Sequence, residues 1–247
     1  MTVTWNPWHG CTKISPGCLH CYVYRLDAAY GSGRSSCECT RTGNFRLPVQ
    51  KHRDGSFKIP SGTKIYTCFT SDFFLKDADA WREEAWDIIR ERSDCSFFFF
   101  TKRIDRMAEC LPPDWGDGWE HVTVGCTVEN QQMADYRLPI FLNAPLKHRC
   151  IGVEPMLERV NLLPYLDGRI EEVSLGGESG PEARICDYDW VLDVRDQCVR
   201  TGTTFYFHQT GSCFRKDGRV YQIPRLLQGK QARAARIDYD AAAGGFL

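Results

Sequence analysis

Three cysteines, Cys11, Cys18 and Cys21, fall within the stretch HGCTKISPGCLHC at residues 9–21. The last two have the C-x-x-C spacing that brings two thiolates onto one metal centre. Thiolates are soft ligands, suited to zinc or to an iron–sulfur cluster. A structural zinc site takes four protein ligands. No second C-x-x-C follows, so zinc would need His9, His20, Cys37 or Cys39 as the fourth. Three cysteines on one loop also suit a four-iron cluster with one iron left open. That iron can chelate the amine and carboxylate of S-adenosylmethionine and pass one electron to its sulfonium. Gly10 and Gly17, beside two of the ligands, allow the loop backbone to wrap tightly. Unliganded thiols are the third reading.

The elements that must position this loop are legible as alternating patterns. Residues 64–70 (KIYTCFT), 96–101 (SFFFFT), 121–127, 148–155, 171–177 and 203–209 are apolar, β-rich runs that read as strands. Helical periodicity separates them at 77–93, near 104–110, through 131–142, and at 187–202 with Gly202 as the closing residue. Strand and helix alternating at this spacing predict parallel βαβ units in an α/β fold. Near-continuous apolar strands fit a parallel sheet covered on both faces. With the opening segment, six or seven βα units make a partial or complete parallel barrel over residues 1–209. Residues 31–63 form an irregular insertion carrying Cys37 and Cys39, and 210–247 form a basic C-terminal extension packed on the barrel. Polar residues collect just past the strand ends. In a parallel barrel these share one rim, where active sites are built, and this favours an enzyme over a scaffold.

The chain has 247 residues, 43% hydrophobic and 26% charged, which suits a globular protein with a substantial core. No apolar run approaches the roughly 18–20 residues of a membrane span, and no basic-plus-apolar signal region opens the chain. Both point to the cytoplasm and to no membrane. The thirteen cysteines are then expected to be reduced or metal-bound. The net charge of −1 hides an asymmetry. Residues 200–236 hold eight Lys/Arg against Asp217 alone, about +7, which leaves about −8 elsewhere. Such a segment faces a phosphate-bearing partner, or is an ordinary solvated tail.

TWNPWHGCTKISPGCLHCY, FTSDFF, FFTKRIDRM, VGCTVENQQ, GVEPM, SLGGESGPEAR and DWVLDVRDQCVRTGTTFYFHQTG occur in this order. Together they resemble the phage-associated three-Cys-motif, radical-SAM-like family, a domain of largely unassigned function. The resemblance implies a radical SAM barrel with a [4Fe–4S] cluster on Cys11, Cys18 and Cys21. The spacing here, C-x6-C-x2-C, departs from the C-x3-C-x2-C commonest among radical SAM proteins. His20 and Tyr22 fall where such proteins pack against adenine, and Ser71 and Asp72 where they bind the SAM amine. Ordinary packing and a helix N-cap are the plainer roles for these pairs. Lys102 and Arg103 suit the SAM carboxylate or a substrate phosphate, or else a structural ion pair. Glu129, Asn130 and Glu154 suit ribose hydroxyls or polar substrate groups. Gly176, Gly177, Glu178 and Ser179 form a site loop or a plain tight turn. His208 and Gln209 suit proton transfer or substrate contact, and Cys213 is a candidate hydrogen donor to a radical.

The leading expectation is therefore an enzyme of isomerase, mutase or lyase type that cleaves S-adenosylmethionine to a 5′-deoxyadenosyl radical, which abstracts a substrate hydrogen. Its electron donor would be flavodoxin- or ferredoxin-like, or a chemical reductant. The resemblance and the basic segment point to a modified nucleobase or an amino-acid-adducted pyrimidine in phage DNA, in the host cytoplasm if phage-encoded. A small metabolite or peptide is the alternative substrate. A zinc-stabilised nucleic-acid-binding protein, or a barrel that has lost its chemistry and serves as a partner subunit, are the competing classes.

Overall fold

Phe97, Phe98 and Phe99 are all buried. Successive strand residues face opposite sides of a sheet, so the strand that holds them is covered on both faces. The computed structural model describes residues 1–31 and 35–246. The part of the 31–63 insertion at 32–34 lies outside the described residues. In chain order the elements are β1 (Thr2–Trp5), β2 (Trp8–His9), α1 (Tyr22–Tyr30), β3 (Thr40–Arg41), β4 (Lys64–Thr67), α2 (Asp79–Glu91) and β5 (Ser96–Thr101). Then follow α3 (Met107–Cys110), β6 (Val122–Thr127), α4 (Gln131–Asn143), β7 (His148–Val153), β8 (Glu172–Gly176), β9 (Cys186–Asp187), α5 (Tyr188–Thr201) and β10 (Thr204–Gln209). The chain ends with β11 (Cys213–Lys216), β12 (Arg219–Gln222), α6 (Arg225–Ala234), β13 (Tyr239–Asp240) and β14 (Gly245–Phe246).

The fold is mixed α/β. Its main sheet has nine strands in the order β1-β4-β5-β6-β7-β8-β10-β13-β14. The pairs β1/β4, β4/β5, β7/β8 and β8/β10 are parallel. The terminal pairs β10/β13 and β13/β14 are antiparallel. Among the described residues no pairing of β1 with β14 closes the sheet. No helix of the described residues is long and apolar enough to cross a membrane.

The chain divides into two units. The first comprises Met1–Lys13, Val23–Gly125 and Ala144–His148. Its core is aromatic: Phe73 stacks on Phe99 with centroids 4.6 Å apart, and Trp86 and Trp8 close on Phe73 at 4.7 and 5.2 Å. Such rings each bury a large apolar area and favour these offset or edge-on contacts. The insertion packs into this unit. Trp5 Nε1 donates to the Phe45 carbonyl at 2.9 Å, and the fully buried Arg92 donates to the carbonyls of Pro48 and Ile59. The sequence pattern extends the strand of β4 to residue 70, but β4 ends at Thr67. Cys68 adopts φ +63°, a left-handed conformation that leaves the pleat.

The second unit comprises Ile14–Tyr22, Cys126–Asn143 and Arg149–Leu247. Its core includes Ile151, Val153, Val173, Leu175, Phe205 and Phe207, on three parallel strands. Asp187 caps α5 by accepting from Asp189 N at 2.9 Å. Gly202 closes the helix at φ +67°, as its spacing predicts. Residues beyond 209 belong to this unit: β11 pairs in parallel with β9, and β13 extends the main sheet from β10. One irregularity affects the site. The β8/β10 register shifts between Phe207 and Gln209, so His208 is the extra residue of a bulge. Bulges re-aim side chains.

Candidate functional site

In the first unit, Cys11 follows a glycine that no other residue replaces without strain. Gly10 has φ +96°, and a Cβ there would lie 2.1 Å from the Glu38 carbonyl oxygen. Its N–H donates to Thr70 O at 3.1 Å, and the Cys11 N–H donates to Ser36 O at 2.8 Å. Ser71 Oγ donates to the Gly10 carbonyl. Asp72 is buried and accepts from Phe74 N (3.0 Å), Thr101 Oγ1 (2.8 Å) and Lys102 N (2.9 Å). This is an Asx-type turn and not a helix N-cap, because the next helical turn begins after Leu75. Asp72 also pairs with Arg103 at 3.3 Å. Arg103, itself buried, donates to Thr12 O (2.7 Å) and Thr12 Oγ1 (2.9 Å), and its Nη1 lies 3.5 Å from Cys11 Sγ. Burial works against the Arg103 charge, but Asp72 and Cys11 outweigh it and raise its pKa. Lys102 is half-buried, and its amine has no ion pair among the described residues. Cys39 is neutral at physiological pH, because burial and Asp77 push its thiol up to about 11. Cys37 is exposed, 3.8 Å from Tyr24 Oη.

In the second unit, Cys18 ends a 3-10 turn at Pro16–Cys18, with Ser15 Oγ 3.8 Å from its sulfur. Cys21 N donates to Cys18 O at 3.3 Å. The turn is held by two buried carboxylates. Glu129, fully buried, accepts from Gly17 N at 3.0 Å and pairs with Arg137 at 2.7 Å. A Cβ on Gly17 would press to 3.0 Å on the Glu129 carboxyl carbon, so the glycine makes room for the acid. Glu178 is gripped by the fork of Arg184 at 2.9 and 2.6 Å, and the same guanidinium donates to Pro16 O at 2.9 Å. His20 Nδ1 lies 3.4 Å from Glu182, and Tyr22 is exposed at the start of α1. Asn130 accepts from Met133 N at 2.9 Å, which makes it the N-cap of α4.

A further cluster in the second unit surrounds the bulge. Glu154 accepts from His208 Nδ1 at 2.9 Å and from Gln209 Nε2 at 2.5 Å. Gly176 makes this possible, since a Cβ there would lie 2.8 Å from the Glu154 carboxyl carbon. The Glu154 hydrogen bond outweighs burial and raises the His208 pKa. Gly177 permits backbone-to-backbone packing: its Cβ would fall 2.3 Å from Thr210 O, and Ser212 N donates to Glu178 O at 2.8 Å. Ser179 is half-exposed beside this contact, and Cys213 receives Gln222 Nε2 at 3.6 Å.

Residues 1–239 match the family described as protein of unknown function (DUF5131). The chain belongs to this family. No curated protein and no solved structure matches the chain. The DUF5131 match spans all three cysteines, both carboxylates that hold the 3-10 turn, and the whole of the His208 cluster.

Four residues singled out in the sequence thus bond to the backbone at 10–17, each within its own unit: Ser71, Arg103, Glu129, and Glu178 through Arg184. Among the described residues no group of three or more His, Cys, Asp or Glu side chains stands as a metal site. In donor chemistry the three thiols fit an iron–sulfur cluster. All three are half-exposed, while Cys68, Cys95, Cys126 and Cys150 are core thiols, and Cys11 has a guanidinium at its sulfur, which favours thiolate. Sequence reasoning missed Arg137 and Arg184. Arg184 lies within the motif SLGGESGPEAR, and its separation of six from Glu178 was the available signal.

Proposed function

We propose that this chain is a radical S-adenosylmethionine enzyme on a barrel-type α/β scaffold, acting in the cytoplasm. The observation that carries the reading is a segment with three half-exposed cysteines whose backbone is bonded by buried Arg103 and Glu129. Buried charges are costly unless paired and hydrogen-bonded, and here their remaining bonds are spent on holding that segment. Bound by Cys11, Cys18 and Cys21, a [4Fe–4S] cluster would supply one electron for cleavage of S-adenosylmethionine to a 5′-deoxyadenosyl radical.

The chain's own residues have separable tasks. Arg103 favours the thiolate of Cys11, and Glu129 and the Glu178–Arg184 pair hold the turn that carries Cys18. The unpaired amine of Lys102 is available to a carboxylate or phosphate. His208, oriented through Nδ1 by Glu154, presents Nε2 for proton transfer, and the half-exposed Cys213 thiol would serve as hydrogen-atom donor. The motif resemblance and the basic residues between 200 and 236 favour a nucleobase-containing substrate, with isomerase, mutase or lyase chemistry and a flavodoxin- or ferredoxin-like electron donor.

The test is anaerobic reconstitution with iron and sulfide, followed by addition of S-adenosylmethionine and dithionite. Brown protein that releases 5′-deoxyadenosine supports the reading. Colourless protein that retains stoichiometric zinc overturns it.

A further inference from the structure

Of the eight Lys/Arg between 200 and 236, Arg215 alone forms an ion pair among the described residues, with Asp187. The rest carry uncompensated charge, and two of them stand beside His208. Arg225 Nη1 donates to Gln209 Oε1 and to Gln228 Oε1. Both acceptors are neutral amides tethered at their other ends. Gln209 Nε2 donates to Glu154, while the fully buried Gln228 donates to Ser212 Oγ at 2.8 Å and to Ile223 O at 3.0 Å. The amides therefore aim the guanidinium without neutralising it. Its Nε and Nη2 have no acceptor among the described residues.

Arg233 arrives from about two turns further along α6. Its Nη1 lies 3.4 Å from where a Gly229 Cβ would be, and that point is 3.6 Å from the His208 carbonyl oxygen. The absent side chain at 229 thus lets α6 and the Arg233 guanidinium approach the bulge. Glu154 is the carboxylate in contact with this group, and it is engaged by His208 and Gln209. With His208 protonated, three cations face one acid.

We propose that Arg225, Arg233 and His208 form a binding site for a phosphate ester at the end of β10, with the Nε–Nη2 edge of Arg225 as its two-pronged ligand. A planar guanidinium edge matches two phosphate oxygens, and a phosphate supplies the negative charge that this cluster lacks. The ester is either a nucleotide monoester or a diester of a polynucleotide. The site deepens the reading above by giving its substrate a phosphate handle, but binding requires neither cluster nor S-adenosylmethionine.

The protein as isolated is titrated with inorganic phosphate, a 5′-mononucleotide and a short single-stranded oligonucleotide, using calorimetry. Arg225→Gln and Arg233→Gln are each expected to weaken binding roughly tenfold or more, while Arg90→Gln, which removes an arginine already paired with Asp114, leaves it unchanged. Mononucleotide binding lost in the variants identifies a monoester, and oligonucleotide binding alone lost identifies a diester. Equal binding by wild type and both variants, or no binding of any probe, overturns the proposal. Either result leaves 5′-deoxyadenosine release as a separate measurement, so the two readings fail independently.

Discussion

The Arg103 guanidinium stands 3.5 Å from the Cys11 sulfur. The same group is ion-paired to Asp72 and hydrogen-bonded to Thr12, so its position is fixed from two sides. A fixed positive charge at that distance stabilises the thiolate over the thiol.

Arg103→Ala therefore slows alkylation of Cys11 near neutral pH, read by mass spectrometry of the Cys11 peptide after brief iodoacetamide treatment. It also leaves Asp72 buried without its cation, at a cost of about 3 kcal/mol in urea unfolding. Arg103→Lys retains part of the rate. An unchanged Cys11 rate in Arg103→Ala shows that the guanidinium does not set the reactivity of this thiol.

Glu129 and Arg137 are both buried and bonded at 2.7 Å. Glu129→Gln keeps an acceptor for the Gly17 N–H but removes the countercharge. Its expected destabilisation is about 3 kcal/mol by denaturant titration, and Glu129→Gln/Arg137→Met recovers part of it, because the stranded cation is gone. A double variant as unstable as the single one argues that the acid's grip on Gly17 matters more than the charge pair.

Gly10→Ala combines a positive φ with a clash against the Glu38 carbonyl. The expected loss is about 2 kcal/mol or more. Gly43→Ala is the control, since a Cβ there meets nothing within 4 Å, and its thermal midpoint is expected to stay close to wild type. Equal midpoints for the two variants contradict the close approach of residues 10 and 38.

His208 has a raised pKa because Glu154 accepts from its Nδ1, against opposing contributions from burial, Arg225 and Arg233. For a histidine raised on folding, the stabilising contribution is complete below the unfolded value of about 6.5 and disappears as pH rises through the folded value. In Glu154→Gln the His208 titration midpoint, followed by proton NMR of the ring, moves down. A midpoint that does not move assigns the shift to another group.

If the proposed function holds, Cys18→Ala is expected to prevent cluster assembly on reconstitution, whereas Cys150→Ala, at a core thiol, is expected to leave it intact. The ratio of visible to ultraviolet absorbance after desalting reads both. Equal loss in the two variants removes Cys18 from the ligand set.

The strands were legible because their apolar runs are covered on both faces, and β5 and β10 begin and end within a residue of the pattern. Helix α5 was legible for a local reason, since a glycine at the end of an amphipathic run permits a left-handed close. The three-stranded sheet β12-β11-β9 was not. β12 is fully exposed and β9 has two residues, so neither carries a period. At the candidate site, the residue types past the strand ends were visible, but their partners were not. Asp72 had two sequence readings, and its turn geometry follows from where β5 ends beside it. Arg137, Arg184 and Arg225 act through hydrogen bonds whose partners no local spacing encodes.

The two glutamines that hold Arg225 carry no ionisable proton. Across the pH range in which His208 changes charge, the guanidinium keeps both its charge and its aim. For a phosphodiester, whose charge is constant over that range, any pH dependence of capture at this cluster is thus a readout of the imidazole over a constant baseline, whereas a monoester adds its own second ionisation at about pH 6. Replacing Gln209 by Glu would convert that baseline into a second, coupled titration.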